Sequence, residues 1–168
     1  MDRCDICPFV YDDVAVVALS TEIRVWGRTL AEHLLADAAR VRTRPQPDVW
    51  SAIEYGCHVR DVLDVQRGRV ALALAQDSPV FTLMGRDDRA ERDRYNDQEP
   101  TVVAAEVVSA ADRFADALEA LDPAGWERTG IYTWPTTESR SLAWVGRHTL
   151  HELHHHTADI DRSLATTS

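Results

Sequence analysis

The sequence predicts an all-α protein, a single-domain four-helix bundle formed by the whole chain, residues 1–168. Four long segments carry apolar residues at intervals of three and four, the spacing that places side chains on one face of a helix. Breaks rich in proline or glycine separate these segments, and no stretch alternates apolar and polar residues convincingly. A chain of this length suits one domain with an ordinary core. These observations together predict the helical bundle.

The first predicted helix spans residues 14–41 and follows an N-terminal arm, residues 1–13, that we expect to pack on the bundle. Its apolar positions recur at the helical interval and form one wall of the core. These positions are Val16, Leu19, Ile23, Trp26, Leu30, Leu34 and Ala38. Prolines 45 and 47 end the helix and begin a linker.

The second predicted helix opens at residues 50–54 and continues to about residue 76. Ser51, followed three residues later by Glu54, is a capping-box pattern, in which each side chain satisfies an orphan backbone amide of the other. The start of the helix is therefore defined about two turns before His58. This histidine lies next to the apolar stripe of the helix.

A connection of more than 15 residues, 77–99, leads to the third predicted helix. Loops of this length in compact domains are functional or mobile, and we expect a solvated crossover rather than a substrate lid. Pro100 suits the first position of the third helix, which extends to Leu121. An irregular segment, residues 126–140, then precedes the fourth helix at 141–165.

Residues 147–160 of the fourth helix hold five of the seven histidines and two carboxylates, which is the composition of a metal site. Residues four apart lie on one face of a helix, one turn apart. Two candidate ligand pairs follow, Glu152 with His156 and His151 with His155. His154 points elsewhere.

Spacing alone does not choose between the two pairs, because other members of the cluster also fall near one line along the helix. They are His148, Glu152, His155 and Asp159. A third ligand is required from another element, and His58 is the upstream candidate.

The three cysteines are an odd number without the spacing of a disulfide framework, so we expect reduced thiols. Cys4 and Cys7 form a C-x-x-C pair, which is half of a structural zinc site. No second C-x-x-C or C-x-x-H completes it, and an arm packed on the bundle is the preferred interpretation. Cys57 adjoins His58 but lies about 100° away around the helix, which indicates a core residue rather than a ligand.

A formal net charge of −10 and a pI near 5.0 argue against nucleic acid and anionic membrane as partners, since both would repel the protein. No charged segment followed by an apolar run opens the chain, and no apolar run approaches the roughly 20 residues that span a bilayer. We therefore expect a cytoplasmic protein.

The motifs of the second and fourth helices together resemble the DinB-like superfamily. They are Trp50-Ser51, residues 53–61 around His58, His151-Glu152, His155-His156 and Asp159-Ile160. Within the superfamily the chain is most similar to the thiol-dependent bacterial branch, which includes mycothiol-dependent maleylpyruvate isomerase and the thiol S-transferases. The resemblance covers most of the chain.

This resemblance implies a bundle of up-down-down-up topology with a divalent metal, zinc or alternatively nickel, at one end. The ligand pattern of the family falls on His58, Glu152 and His156, with Asp159 as a polar residue three positions later. Many members carry histidine at the position of Glu152. His151 and His155 remain the alternative pair, and His155 and Asp159 are candidates to orient a ligand.

Three protein ligands leave a metal position open for a water or a thiol, whose pKa the metal lowers. We therefore predict an enzyme that activates a low-molecular-weight thiol, mycothiol-like, as thiolate for S-transfer to a small electrophilic substrate or for its isomerisation. Arg60 and Arg147 flank the motifs and are candidates to bind carboxylates of the thiol or substrate.

Two alternatives stay open. One is a metal-dependent hydrolase that uses water in place of thiol, with Asp159 or a loop residue as base. The other is a non-catalytic bundle in which the metal only adds stability and the protein binds a ligand. The family resemblance also implies a possible homodimer.

Overall fold

The structure is a computed structural model that describes residues 3–4, 6–133 and 135–166. Within these residues the chain forms seven α-helices and one two-stranded sheet. In chain order the elements are α1 (Leu19–Leu34), α2 (Ala38–Arg42), α3 (Ala52–Ala75), α4 (Arg86–Arg92), α5 (Pro100–Glu119), α6 (Pro123–Glu127), β1 (Thr129–Tyr132), β2 (Glu138–Ser141) and α7 (Leu142–Thr166). The long helices α1, α3, α5 and α7 form the predicted four-helix bundle.

Two successive contacts along each helix pair give the direction of the four long helices. They are Arg24–Glu119 and Arg28–Asp112 between α1 and α5, Arg60–Glu106 and Asp64–Arg113 between α3 and α5, and Trp26–His154 and His33–Asp161 between α1 and α7. Helix α5 therefore runs antiparallel to α1 but parallel to α3, whereas α7 runs parallel to α1. This is the predicted up-down-down-up topology.

The crossover between α3 and α5 must return along the length of the bundle because these two helices are parallel. It contains α4 and a 3₁₀ turn at Tyr95–Asp97. Phe81 and Tyr95 of the crossover are fully buried, and the Tyr95 hydroxyl donates a hydrogen bond to Asp61 at 2.7 Å. The prediction of a solvated crossover was therefore wrong at these two positions, where aromatic side chains anchor the segment to the bundle.

The helix predicted over residues 14–41 is interrupted. A 3₁₀ turn at Val16–Ala18 precedes α1, and a break after Leu34 separates α1 from α2. At the break, the Asp37 carboxylate accepts hydrogen bonds from the amides of Ala39 and Arg40, both at 3.1 Å, and starts a new helix. Apolar spacing persisted across the break, so the periodicity did not reveal it.

The segment predicted as irregular, residues 126–140, contains most of a β-hairpin. Strands β1 and β2 pair antiparallel, with Thr129 opposite Ser141 and Tyr132 opposite Glu138. Each strand has only four residues, which is too short for an alternating pattern to stand out in the sequence. The expectation of no strand was wrong for this reason.

The N-terminal arm packs on the bundle, as predicted. The side chains of Phe9 and Tyr11 are buried and lie against histidine rings of α7. A backbone hydrogen bond from the Cys4 amide to the Phe9 carbonyl, at 3.1 Å, closes the arm into a short loop. No helix in the described residues is long and apolar enough to cross a membrane.

The predicted capping box begins α3. The Ser51 hydroxyl accepts from the Glu54 amide at 3.4 Å, and a Glu54 carboxylate oxygen accepts from the Ser51 amide at 2.9 Å. The same carboxylate accepts from Nε of Arg44 at 2.8 Å and is only 3% exposed. Burial alone would raise the pKa of Glu54, but the hydrogen bonds from Arg44 and Ser51 lower it below its ordinary value.

We expect Glu54→Gln to lower the free energy of unfolding by about 1–3 kcal/mol at pH 7, because the amide loses the charged hydrogen bond to Arg44. A carboxyl group with a depressed pKa stabilises the fold above its unfolded pKa of about 4.3 and stops doing so as the pH falls through the folded value. The difference from the wild type should therefore shrink below about pH 4.3. Urea unfolding at several pH values measures this, with the exposed Glu91→Gln as a control that should change little at any pH.

A pair of helical glycines gives a second prediction. A Cβ at Gly27 would lie 2.6 Å from the Ala111 Cβ, at the contact of α1 and α5, whereas a Cβ at Gly68 would meet nothing within 4 Å. Gly68→Ala should stabilise the protein by about 0.5–1 kcal/mol through helix propensity. Gly27→Ala should destabilise it by about 1–3 kcal/mol, because α1 and α5 must separate. Thermal unfolding of both variants measures this, and equal shifts would contradict the close approach of α1 and α5.

Candidate metal centre

The antiparallel contact of α3 and α7 brings together the three residues that the sequence nominated as ligands. One donor atom each of His58, Glu152 and His156 lies within 4.8 Å of the other two. Nε2 of His58 is 3.8 Å, and Nε2 of His156 is 3.4 Å, from the same Glu152 oxygen. Both imidazoles are buried, and the Glu152 side chain is 20% exposed. The ligand role of the three residues stays a prediction, and their convergence is what that role requires.

Neighbouring groups orient the two imidazoles differently. Nδ1 of His156 is hydrogen-bonded to the Asp159 carboxylate at 2.8 Å, which turns Nε2 toward Glu152. A carboxylate behind an imidazole is the usual arrangement for a metal-binding histidine. Nδ1 of His58 is buried and has no hydrogen-bond partner in the described residues, so the protein alone does not satisfy this ring.

The charges of the cluster depend on one another. Burial alone would raise the pKa of Glu152, but the neighbouring imidazoles of His156 and His58 lower it well below its ordinary value. Burial would lower the pKa of His156, but Asp159 and Glu152 raise it to about 9. Burial lowers the pKa of His58. Glu152 and the adjacent Asp159 are thus both anionic at pH 7, and the protonated His156 partly compensates their charge.

The alternative pair faces another direction. His151 and His155 join Cys4 and Cys7 of the N-terminal arm, and one donor atom of each lies within 4.8 Å of the others. His58 has no part in this group. The sequence did not reveal this partner for Cys4 and Cys7, because the completing pair is neither a second C-x-x-C nor a C-x-x-H motif. The completing pair is the His-x-x-x-His motif of His151 and His155, near the other end of the sequence.

Two further groups of possible ligands overlap with these, His148 with His151 and Glu152, and His155 with His156 and Asp159. Both consist of residues of α7 alone. His154 lies apart, as predicted, with its ring 3.7 Å from the ring of Trp26.

The two arginines nominated to bind carboxylates are engaged elsewhere. Arg60 donates to Asp61 at 2.8 Å and to Glu106 at 2.7 Å, and Nε of Arg147 donates to the Val14 carbonyl at 2.9 Å. The structure does not bring either guanidinium into the cluster around Glu152. Their role as carboxylate binders stays a prediction without structural support.

The crossover supplies a cation that sequence reasoning missed. The Arg86 guanidinium at the start of α4 lies 5.5 Å from the centre of the Trp50 ring, and that ring lies 5.3 Å from the ring of His58. The Tyr55 ring stacks on His156 at 5.4 Å. Each candidate imidazole therefore has an aromatic ring beside it, and Arg86 lies on the ring next to His58. No motif marks Arg86, because the path of the crossover brings it there.

Cys57 is a core residue, as predicted. Its thiol is fully buried and faces the Tyr95 carbonyl and the Gln98 side chain. Burial raises the pKa of this thiol to about 12, so the thiolate is absent at neutral pH.

Fold and site together define a class of protein, the four-helix bundle with a candidate metal centre between its second and fourth long helices. The family model of the DinB superfamily matches residues 23–160, and the chain belongs to this superfamily. No curated protein matches the chain significantly.

Two solved proteins have a similar fold. YfiT from Bacillus subtilis, described as a probable metal-dependent hydrolase with an unusual four-helix bundle topology, superposes with a TM-score of 0.78 at 18% identity, covering 97% of this chain and 90% of YfiT. The mycothiol-dependent maleylpyruvate isomerase superposes with a TM-score of 0.72 at 13% identity, covering 90% of this chain. This chain spans 63% of the isomerase. At such identities the likeness shows the fold alone.

Replacement of a ligand should remove metal from the centre. After zinc loading and dialysis, His58→Ala and Glu152→Ala should each contain about one equivalent of zinc less than the wild type, because two remaining ligands hold the ion poorly. His33→Gln, which changes a histidine of α1 outside the cluster, is the matched control and should retain the wild-type content. Elemental analysis of untagged protein measures this. Equal zinc in all four proteins would exclude His58 and Glu152 as ligands.

Proposed function

We propose that this protein is a divalent-metal-dependent enzyme that joins a low-molecular-weight thiol to a small electrophilic substrate or isomerises that substrate through the thiol. The observation that carries the proposal is the convergence of His58, Glu152 and His156 from two helices. No fourth donor belongs to this group among the described residues. Three protein ligands characterise catalytic sites, which keep a position open, whereas structural sites are closed by four.

The donor set suits zinc. Two histidines and one glutamate form one of the combinations that catalytic zinc sites use, and imidazole also binds nickel. A divalent cation at this position would lower the pKa of a thiol or water that binds to it, so that the nucleophile is an anion near neutral pH. Asp159 holds the ring of His156 in place through Nδ1. The buried position of His58 limits the access of solvent.

The surroundings of the cluster favour an anionic small molecule as ligand. Arg86 is exposed, lies 3.4 Å from a carboxylate oxygen of the likewise exposed Asp87, and stands beside Trp50 at the rim of the cluster. A guanidinium can bind a carboxylate through two parallel hydrogen bonds, and an indole face offers apolar contact area to the rest of the molecule. We assign to Arg86 the carboxylate-binding role that the sequence had given to Arg60 and Arg147.

Membership of the DinB superfamily and the fold shared with mycothiol-dependent maleylpyruvate isomerase support a thiol as cosubstrate. In S-transfer, the thiol sulfur bonds to an electrophilic carbon, the leaving group departs with its electron pair, and the thiol proton passes to solvent. In isomerisation, the thiol adds to a double bond and is eliminated after rotation, so it is regenerated. Both reactions need a thiolate and a bound electrophile.

Hydrolysis is the second candidate, favoured by the similarity to YfiT over nearly the whole chain. Water would replace the thiol, and a base would be required. Asp159 is poorly suited to that role, because its carboxylate is already hydrogen-bonded to His156 and paired with Arg162. The thiol-dependent reaction requires no such base once the thiolate is formed.

We further propose a cytoplasmic location, where low-molecular-weight thiols are kept reduced, and a homodimer, neither of which the fold decides. Nucleic acid and membrane are not proposed as partners because of the net charge of −10.

The test is a conjugation assay with zinc-loaded or nickel-loaded protein, mycothiol or cysteine, and 1-chloro-2,4-dinitrobenzene. The protein should raise the rate of conjugation above the rate without protein, and only when both metal and thiol are present. Glu152→Ala should reduce the enzymatic rate at least about 100-fold, through loss of the centre. Arg86→Gln should raise the KM for a carboxylate-bearing thiol more than it lowers kcat, whereas Arg92→Gln on the same helix should change neither.

A p-nitrophenyl ester assay without thiol separates the two candidates. Metal-dependent ester cleavage without any thiol conjugation would replace the proposed function with hydrolysis. Absence of both activities in metal-loaded protein would leave the non-catalytic bundle as the better interpretation.

A further inference from the structure

The N-terminal arm and α7 bring together four side chains that the proposed reaction does not use. They are Cys4, Cys7, His151 and His155, and one donor atom of each lies within 4.8 Å of the others. Sγ of Cys4 is 3.8 Å from Nδ1 of His155. Tetrahedral zinc, with Zn–S of about 2.3 Å and Zn–N of about 2.0–2.1 Å, sets its ligand atoms about 3.4–3.8 Å apart. The group therefore needs only a small contraction to enclose the ion.

We propose that Cys4, Cys7, His151 and His155 form a second metal site, a closed structural zinc site that fastens the N-terminal arm to α7. The spacing agrees with this role. C-x-x-C and His-x-x-x-His are the two halves of a Cys₂His₂ site, in which a tight turn supplies the thiolates and one face of a helix supplies the imidazoles. Here the halves come from opposite ends of the sequence.

The two imidazoles are oriented as ligands. The Tyr11 hydroxyl is hydrogen-bonded to Nδ1 of His151 at 3.2 Å, and Nε2 of the same ring is buried without a hydrogen-bond partner among the described residues. In His155 the roles are reversed, because Nε2 faces Asp159 at 3.6 Å and Nδ1 faces Cys4. Tyr11 thus holds the ring of His151 through one nitrogen, Asp159 lies beside one nitrogen of His155, and each ring has its other nitrogen available for a metal. An unsatisfied buried nitrogen is costly, and a metal ion would satisfy it.

The chemistry of the donors sets this site apart from the centre at His58. Two thiolates and two neutral imidazoles balance the charge of Zn²⁺, and zinc displaces one proton from each thiol to solvent. Four protein ligands leave no position for substrate, so the site adds stability rather than catalysis. The two sites have no ligand in common. Asp159 lies between them, 2.8 Å from Nδ1 of His156 and 3.6 Å from Nε2 of His155.

The proposed site would control how firmly the N-terminal arm covers α7. Phe9 and Tyr11 cover histidines of α7, and the Tyr11 hydroxyl is also hydrogen-bonded to His148 at 2.9 Å. A metal bond at Cys4 and Cys7 would hold this cover in place. Without the metal, the arm would open more often and expose the histidine face of α7.

Cobalt substitution tests the proposal, using the full untagged chain reduced before loading. Co²⁺ bound by thiolate gives an intense near-ultraviolet charge-transfer absorption that histidine and carboxylate ligands do not produce. The wild type should show it. The Cys4→Ser/Cys7→Ser double variant should lose the absorption and about one equivalent of metal. Cys57→Ser, which changes the buried core thiol, is the matched control and should retain both.

Hydrogen exchange supplies a second readout. Removal of metal with a chelator should speed amide exchange in residues 6–13 of the wild type at least about tenfold, with no such change in the double variant. His58→Ala/Glu152→Ala should keep the cobalt–thiolate absorption, so failure of the catalytic centre can be told apart from failure of this site.

Three results would overturn the proposal. Cobalt bound by the wild type without charge-transfer absorption would exclude the cysteines as ligands. Unchanged absorption in the Cys4→Ser/Cys7→Ser variant would assign the thiolate to Cys57. A Cys4–Cys7 disulfide that re-forms at once after reduction and prevents cobalt binding would identify a redox pair instead.

Discussion

The antiparallel contact between α3 and α7 is the constraint on which the candidate site depends. It sets the largely buried Glu152 carboxylate between His58 of one helix and His156 of the other. A buried anion is costly unless a proton, a cation or a metal compensates it. A proton on His156 compensates the charge of Glu152 in the protein alone, because the neighbours of His156 raise its pKa to about 9. The same charge arrangement would favour a divalent cation in place of that proton.

The direction of the helices determines what else reaches the site. Because α3 and α5 run parallel, the chain must travel back along the bundle between them, and this return path delivers Arg86 to the rim of the cluster. The burial of Phe81 and Tyr95 anchors the path. A bundle with only short antiparallel connections would have no segment at this position. The helix topology and the composition of the site are therefore linked.

Helix α7 carries two candidate ligand pairs offset by one residue. Adjacent residues of a helix point about 100° apart, so Glu152 and His156 face α3 while His151 and His155 face the N-terminal arm. This explains why spacing alone could not choose between the pairs. Each pair has its own set of partners in the fold. Asp159, one turn further along, reaches one histidine of each pair.

Local sequence signals determined much of this protein. The apolar period specified the long helices, the capping box specified where α3 begins, and the family resemblance assigned Glu152 and His156 to the same group as His58. These features depend on neighbours within a few residues or on a known pattern, so they can be predicted from the sequence. The sequence did not predict the helix break at Asp37 or the β-hairpin after α6, because the sequence signals of both features span only a few residues.

Only the tertiary structure decided which distant residues meet. It joined Cys4 and Cys7 to His151 and His155, brought Arg86 to Trp50, and drew Arg60 and Arg147 into other pairs. The physical reason is that such contacts depend on the direction and rotation of whole helices, which the packing of the complete core sets. The sequence around a single residue does not determine that rotation, so these contacts could not be predicted from it.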